Sequence, residues 1–133
     1  VGLITWTEAL ETNQPEIDEQ HKNLIDAFNS LHEAMARGRG REQVSKTLLF
    51  LTNYTVQHFR QEEAIMDQAG YPDAPRHKLM HHGLVVRLSA LMKDYVVAPA
   101  TLTGSTLDFL EGWLVEHIQA EDFRLATYLR ERG

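Results

Sequence analysis

Apolar residues recur at alternating steps of three and four through four long segments, and Gly or Pro interrupts the pattern between them. That period belongs to an α-helix with one buried stripe, and no useful length of chain alternates like a half-buried strand. The first stripe is Ile17, His21, Leu24, Phe28, Leu31 and Met35, on a helix expected from an N-cap at about Asp18 to the breaker Gly38-Arg39-Gly40. The second is Val44, Leu48, Leu51, Thr55, His58, Glu62 and Ile65, on a helix from about Arg41 to Ala69, stopped by Gly70 and Pro72. The third, His77, His81, Leu84, Leu88, Leu91 and Tyr95, starts near Ala74 and Pro75, since proline is acceptable in a first turn. Residues 96–106 read mostly as loop. The fourth helix is expected from about Ser105 to Arg130, with the stripe Leu110, Leu114, Ile118, Asp122, Leu125 and Leu129.

Short connections between the first three helices imply antiparallel neighbours. The expected fold is therefore all-α, an up-down-up-down four-helix bundle over 17–131. An irregular N-terminal arm over 1–16, containing Trp6, packs across it, and 1–133 form one domain. No apolar run reaches the roughly 18 residues of a membrane span, and no secretory leader opens the chain. The chain does not begin with Met, as a processed chain or an excised domain would not. It has no cysteine, which excludes disulfides, zinc–thiolate sites and iron–sulfur clusters. A formal charge of -6 argues against binding nucleic acid. A cytoplasmic monomer is the expectation.

The stripes contain an anomaly. His21, His58, Glu62, His77, His81 and Asp122 sit where a bundle wants leucine, and His117 borders the same face. Burying a carboxylate without a partner costs several kcal/mol or forces it to remain protonated. One buried histidine could be a satisfied core residue; seven polar residues require a common explanation. In an antiparallel bundle, the starts of helices one and three are level with the ends of two and four. Helical rise then brings all seven to one half of the bundle. His58 with Glu62 and His77 with His81 are i,i+4 pairs, about 40° apart and able to reach one point. His117 and Asp122 are i,i+5, about 140° apart on a regular helix, and would address the centre from different sides. His82 turns about 100° away from His81, off the stripe, and His32 lies too far down its helix to join.

Five imidazoles and two carboxylates without a thiolate suit iron, zinc, manganese or copper. The stretch HKLMH is not the HExxH of zinc proteases, because Lys78 stands where a catalytic Glu is required. Seven ligands also exceed the needs of one tetrahedral zinc. Two octahedral ions offer twelve positions. Glu62 and Asp122, if both bridge, fill four; a shared oxide or hydroxide fills two; the histidines fill five. One vacancy remains, suited to a small diatomic ligand. Oxygen-activating di-iron bundles use more carboxylates, and anionic donors stabilise high-valent iron. An imidazole-rich set favours the reduced state, hence reversible reduction of O2 to bound peroxide rather than oxygenation.

The stretches IDEQHKNL at 17–24, HFRQEE at 58–63, HKLMH at 77–81 and WLVEHIQAED at 113–122 carry a resemblance across nearly the whole chain. In this order and spacing they resemble the hemerythrin family, in particular its single-domain prokaryotic members, the bacteriohemerythrins. The resemblance implies a non-haem di-iron, oxo- or hydroxo-bridged centre that binds O2 end-on as hydroperoxide. It implies that His77, His81 and His117 hold one iron, that His21 and His58 hold the other, which carries the vacancy, and that Glu62 and Asp122 bridge. It further implies that Trp113, Leu114 and Ile118 form an apolar wall of the O2 pocket, with Leu114 as a gate, and Phe59 is a second candidate there.

The expected role is storage, transport or delivery of O2, without enzymatic turnover, with an oxygen-consuming enzyme as a partner. The bundle takes up essentially the whole chain, which favours this role. Three alternatives stand beside it: an O2 or redox sensor domain of a longer signalling protein, a di-iron enzyme acting on nitric oxide or peroxide, and a structural bundle with zinc or no metal. A reading frame running well beyond Gly133 favours the sensor, and turnover above background favours the enzyme. Iron content far below two per chain favours the structural bundle.

Overall fold

Proline decides where two of the helices begin. The computed structural model describes residues 4–38, 41–98 and 102–132. Helix α1 spans Pro15–Ala36, with Pro15 at its first position, where the missing N–H is no loss and φ is already helical. The start expected at Asp18 is therefore three residues late. Asp18 does not cap; its Oδ1 accepts from the N–H and hydroxyl of Thr12 at 2.9 and 2.7 Å, tying down the preceding turn. Helix α2, Arg41–Ala69, has the expected bounds. It ends at Gly70, whose φ of 66° suits a residue without Cβ, while Tyr71 N–H bonds back to the Met66 carbonyl at 3.0 Å.

Helix α3, Ala74–Val97, has Pro75 in its first turn and runs on through Val96 and Val97, which the sequence reading gave to a loop. Within that loop residues 99–101 lie outside the described residues, as do Arg39 and Gly40 of the first breaker. The fourth bundle helix has three parts. Helix α4, Gly104–His117, begins after Thr103, whose hydroxyl accepts from Thr106 N–H at 3.4 Å. A π-helical turn follows over Ile118–Asp122, and α5 continues over Phe123–Arg132. An uninterrupted helix was expected there, so the π turn is a correction.

Contacts between neighbours fix an antiparallel register. Lys78 pairs with Asp67 at 2.7 Å and His81 with Glu63 at 2.9 Å, so α3 climbs as α2 descends. The stripes face inward largely as their periods dictate, with one shift: Met66 is fully buried where Ile65 was expected, and Ile65, Met35 and Leu129 are half-buried.

The buried layers position the site. A large apolar cluster includes Leu24, Phe28, Phe59, Leu84, Leu88, Leu110 and Leu114. A smaller one at the bundle end holds Ile17, Met66, Tyr71, Ala74 and Leu125. Ile17, Met66, Ala74 and Leu125 stand three or four residues from His21, Glu62, His77 and Asp122, about one helical turn beyond each toward that end. The polar layer thus lies between two apolar layers. The arm ahead of α1 is pinned to the bundle: Ile4 N–H and C=O each bond the Asn29 side chain at 2.9 Å, and Arg130 reaches the Thr12 carbonyl at 2.9 Å.

Candidate metal centre

The structure brings all seven polar stripe residues together, and none is more than 4% exposed. Their ligand atoms form two groups, each with every member within 4.8 Å of the others. Glu62, His77, His81, His117 and Asp122 make one, and His21, His58, Glu62 and Asp122 the other. The carboxylates belong to both because each faces two ways. Glu62 Oε1 lies 3.0 and 3.1 Å from the Nε2 atoms of His77 and His81, while its Oε2 lies 3.5 and 3.8 Å from those of His58 and His21. Asp122 Oδ1 lies 3.1 and 3.2 Å from Nε2 of His77 and His117, and its Oδ2 lies 2.8 Å from His21 Nε2.

The π turn makes this possible. A regular helix would set His117 and Asp122 about 140° apart, the expectation from their spacing. The π turn that follows His117 accommodates an extra residue, and both side chains reach the same group of donors. Single π turns inside α-helices are frequent at functional sites.

The spacings are those of a cation's ligand shell. Two donors at right angles, each about 2.1 Å from one ion, lie about 3.0 Å apart. Nε2 of His77 and of His81 are each 3.1 Å from His117 Nε2. With the four carboxylate contacts of this group, at 3.0 to 3.2 Å, six pairs match adjacent corners of an octahedron. Imidazole nitrogens facing one another at that distance cannot all be donors and acceptors in turn. Both oxygens of Glu62, both of Asp122 and both ring nitrogens of His21 are buried without an aligned hydrogen-bond partner, despite close contacts. Such unsatisfied groups would be costly without a cation. The donor set, imidazole and carboxylate, fits a non-haem iron site.

The electrostatics of these side chains agree. Burial pushes the imidazoles of His21 and His77 down, but contact with Asp122 and Glu62 outweighs it and raises both to about 9. Burial lowers His58 to about 4, with only partial compensation from Glu62. Burial pushes Asp122 and Glu62 up, yet the surrounding histidines hold both below the usual carboxylate range. Two anionic carboxylates in a buried layer therefore draw in positive charge.

Orientation comes from residues the sequence reading did not identify. His58 Nδ1–H donates to Gln20 Oε1 at 2.7 Å, and His81 Nδ1–H donates to Glu63 Oε2 at 2.9 Å. Both bonds leave Nε2 free to face the centre. Gln20 and Glu63 are sequence neighbours of His21 and Glu62, and that adjacency was the available signal. Arg76 clamps Glu121 of the π turn while also holding Asp73.

The apolar candidates divide. Phe59 stacks on His81, with centroids 3.7 Å apart and planes within 2°, and Trp113 stacks on His117 at 4.5 Å and 10°. Leu114 and Ile118 are buried in the large apolar cluster. His82 is exposed and His32 half-buried beside Phe28, outside both donor groups.

Residues 12–129 match the family Hemerythrin HHE cation binding domain. The chain is 38% identical over 123 residues to a bacteriohemerythrin of Methylococcus capsulatus, covering 92% of this chain and 93% of that one. It is 32% identical to myohemerythrin-1 of Phascolopsis gouldii, covering 90% and 88% of the two chains. A crystal structure of wild-type hemerythrin is similar throughout, with a TM-score of 0.89 at 37% identity, covering 96% of this chain and 98% of that one.

Proposed function

This chain belongs to the hemerythrin family, and from that premise we propose that it binds O2 reversibly at a pair of iron ions. His77, His81 and His117 would hold one ion and His21 and His58 the other, with Glu62 and Asp122 belonging to both donor groups. The observation that carries this reading is the two-way carboxylates, each turning one oxygen to each donor group. Three imidazoles and both carboxylates would hold one ion, and two imidazoles with the same carboxylates the other, which leaves the second group poorer in donors by one and the better place for a diatomic ligand.

A bound pair of iron ions would supply the two electrons that reversible O2 binding requires. The chain supplies the rest. Imidazole donors outnumber carboxylates and favour the reduced ions. The apolar layers on either side keep water from the centre. Trp113, Leu114 and Ile118, with Phe59, wall the gas pocket, and Leu114 serves as its gate. Such a centre suits a carrier that stores O2 or hands it to an oxygen-consuming enzyme, rather than a catalyst. No helix among the described residues is long and apolar enough to cross a membrane.

The test starts from anaerobic, ferrous-loaded protein. Two irons per chain, and an absorption band that appears on admitting O2 and fades on removing it, are expected. Irreversible oxidation without that band would overturn the carrier reading.

A further inference from the structure

The two halves of the centre receive equal charge from their shared ligands. Glu62 and Asp122 each give one oxygen to either side, and every other ligand is a neutral imidazole. The two groups already differ by one neutral imidazole, and a difference in charge has to come from farther out. The imidazole partners supply one. His81, in the three-histidine group, donates its Nδ1–H to the Glu63 carboxylate at 2.9 Å. His58, in the two-histidine group, donates to the Gln20 amide at 2.7 Å. A hydrogen bond to an ionised acceptor is roughly twice as strong as one to a neutral acceptor and makes the opposite ring nitrogen a better donor. Two of the nearby charges are already paired elsewhere. Lys78 faces Glu63 but is held by Asp67 at 2.7 Å, and Glu121 beside the three-histidine group is neutralised by Arg76.

We propose that Glu63 and Gln20 are positioning residues that make the two metal positions electronically unequal. The Glu63 carboxylate enriches the three-histidine position, which gives up the first electron. The neutral Gln20 amide keeps the two-histidine position ferrous, and that is the position able to take a diatomic ligand. Each residue also links its own helix to the next, α1 to α2 through Gln20 and α2 to α3 through Glu63. Their isosteric exchange therefore alters charge while leaving a hydrogen-bonding group in place. The inference rests on the di-iron reading above.

The experiment is a stepwise oxidation of the two-iron protein by ferricyanide, each ferricyanide taking one electron to become ferrocyanide. The readout is the comproportionation constant of the half-oxidised form. Glu63→Gln is expected to lower that constant on the order of tenfold, the difference between a charge-assisted and a neutral hydrogen bond, with two irons retained. Gln20→Glu is expected to lower it from the other side. In the double exchange, Mössbauer spectra should show the remaining ferrous ion moved to the three-histidine position. A constant within twofold of the parent in iron-replete Glu63→Gln would overturn the proposal. Should that variant lose iron, an unchanged constant in Gln20→Glu overturns it instead. A parent protein that binds fewer than two irons removes the di-iron reading itself, whereas two irons and normal O2 binding with unresponsive variants remove only this inference.

Discussion

His117 Nε2 and Asp122 Oδ1 lie 3.2 Å apart although they stand five positions apart in the chain, because the backbone between them takes a π turn. That turn departs from the regular i to i+4 ladder, so something must hold it. The Arg76–Glu121 pair is the external clamp in view: Glu121 lies inside the turn and is 8% exposed, while Arg76 stands on the first turn of α3 next to His77. Replacing Glu121 with Ala should loosen Asp122 and His117 without unfolding α4 or α5. Iron release to a chelator should then accelerate by about 10- to 100-fold, the cost of losing a supporting partner. An unchanged release rate with unchanged helix content would show that the core and the metal hold the turn alone.

Removing the metal should expose the electrostatic conflict in the polar layer. His21 and His77 have pKa values raised from 6.5 to about 9 in the metal-free fold. A raised imidazole pKa contributes stability that is complete below about 6.5 and lost as pH rises through about 9. Iron binding has the opposite dependence, since its ligands must shed those protons. Paired thermal melts should therefore show the metal-free protein weakening from pH 6.5 to 9, with the gap to the iron-loaded protein widening. His58, lowered to about 4 by burial, adds a separate loss as pH falls from 6.5 through 4, because the unfolded imidazole takes a proton that the folded one resists. A gap that narrows toward pH 9 would contradict this assignment of charges.

Much of this architecture is legible in the sequence because it is set by periodicity. The bounds of α2 follow from Gly70 and from a stripe that keeps its period from Val44 to Glu62, although Met66 takes the buried place expected of Ile65. The polar layer stands out because His, Glu and Asp replace leucine at stripe positions, and a helix converts those positions into one level. What was missed depends on contacts between helices. No residue type in Ile118–Asp122 signals a π turn; the local sign was the i,i+5 spacing of His117 and Asp122, which a regular helix would turn about 140° apart. Gln20 and Glu63 look like ordinary outer-face residues until the neighbouring helix brings a histidine N–H to each. Asp18 is an acceptable N-cap by type, but Pro15 starts the helix earlier and the Thr12 turn claims the carboxylate.

A pair of neighbouring histidines offers an internal control. His77 is fully buried among four other donors, whereas His82 is exposed. His77→Ala should lose at least one iron and lower the melting temperature, because metal binding is coupled to the fold. His82→Ala should keep the parent's iron content and melt within a degree or two, as exposed substitutions cost little. Equal iron loss in both variants would mean that the helix α3 ligand pair has been misassigned.

Leu114 tests the gate. It is 4% exposed and packs in the large apolar cluster with Leu110 and Ile118, one turn before His117 on α4. Leu114→Ala removes a branched side chain and should cost about 2–5 kcal/mol of stability, part of it the cavity left behind. Destabilisation alone could also admit water, so Leu110→Ala, 2% exposed and one turn farther from His117, is the matched comparison. Both variants lose a similar apolar group, but only the nearer one opens the space beside the centre. Autoxidation measured in air at a temperature well below both melts should therefore accelerate in Leu114→Ala and much less in Leu110→Ala. Equal acceleration in the two would assign the effect to general loosening and remove Leu114 from the gate.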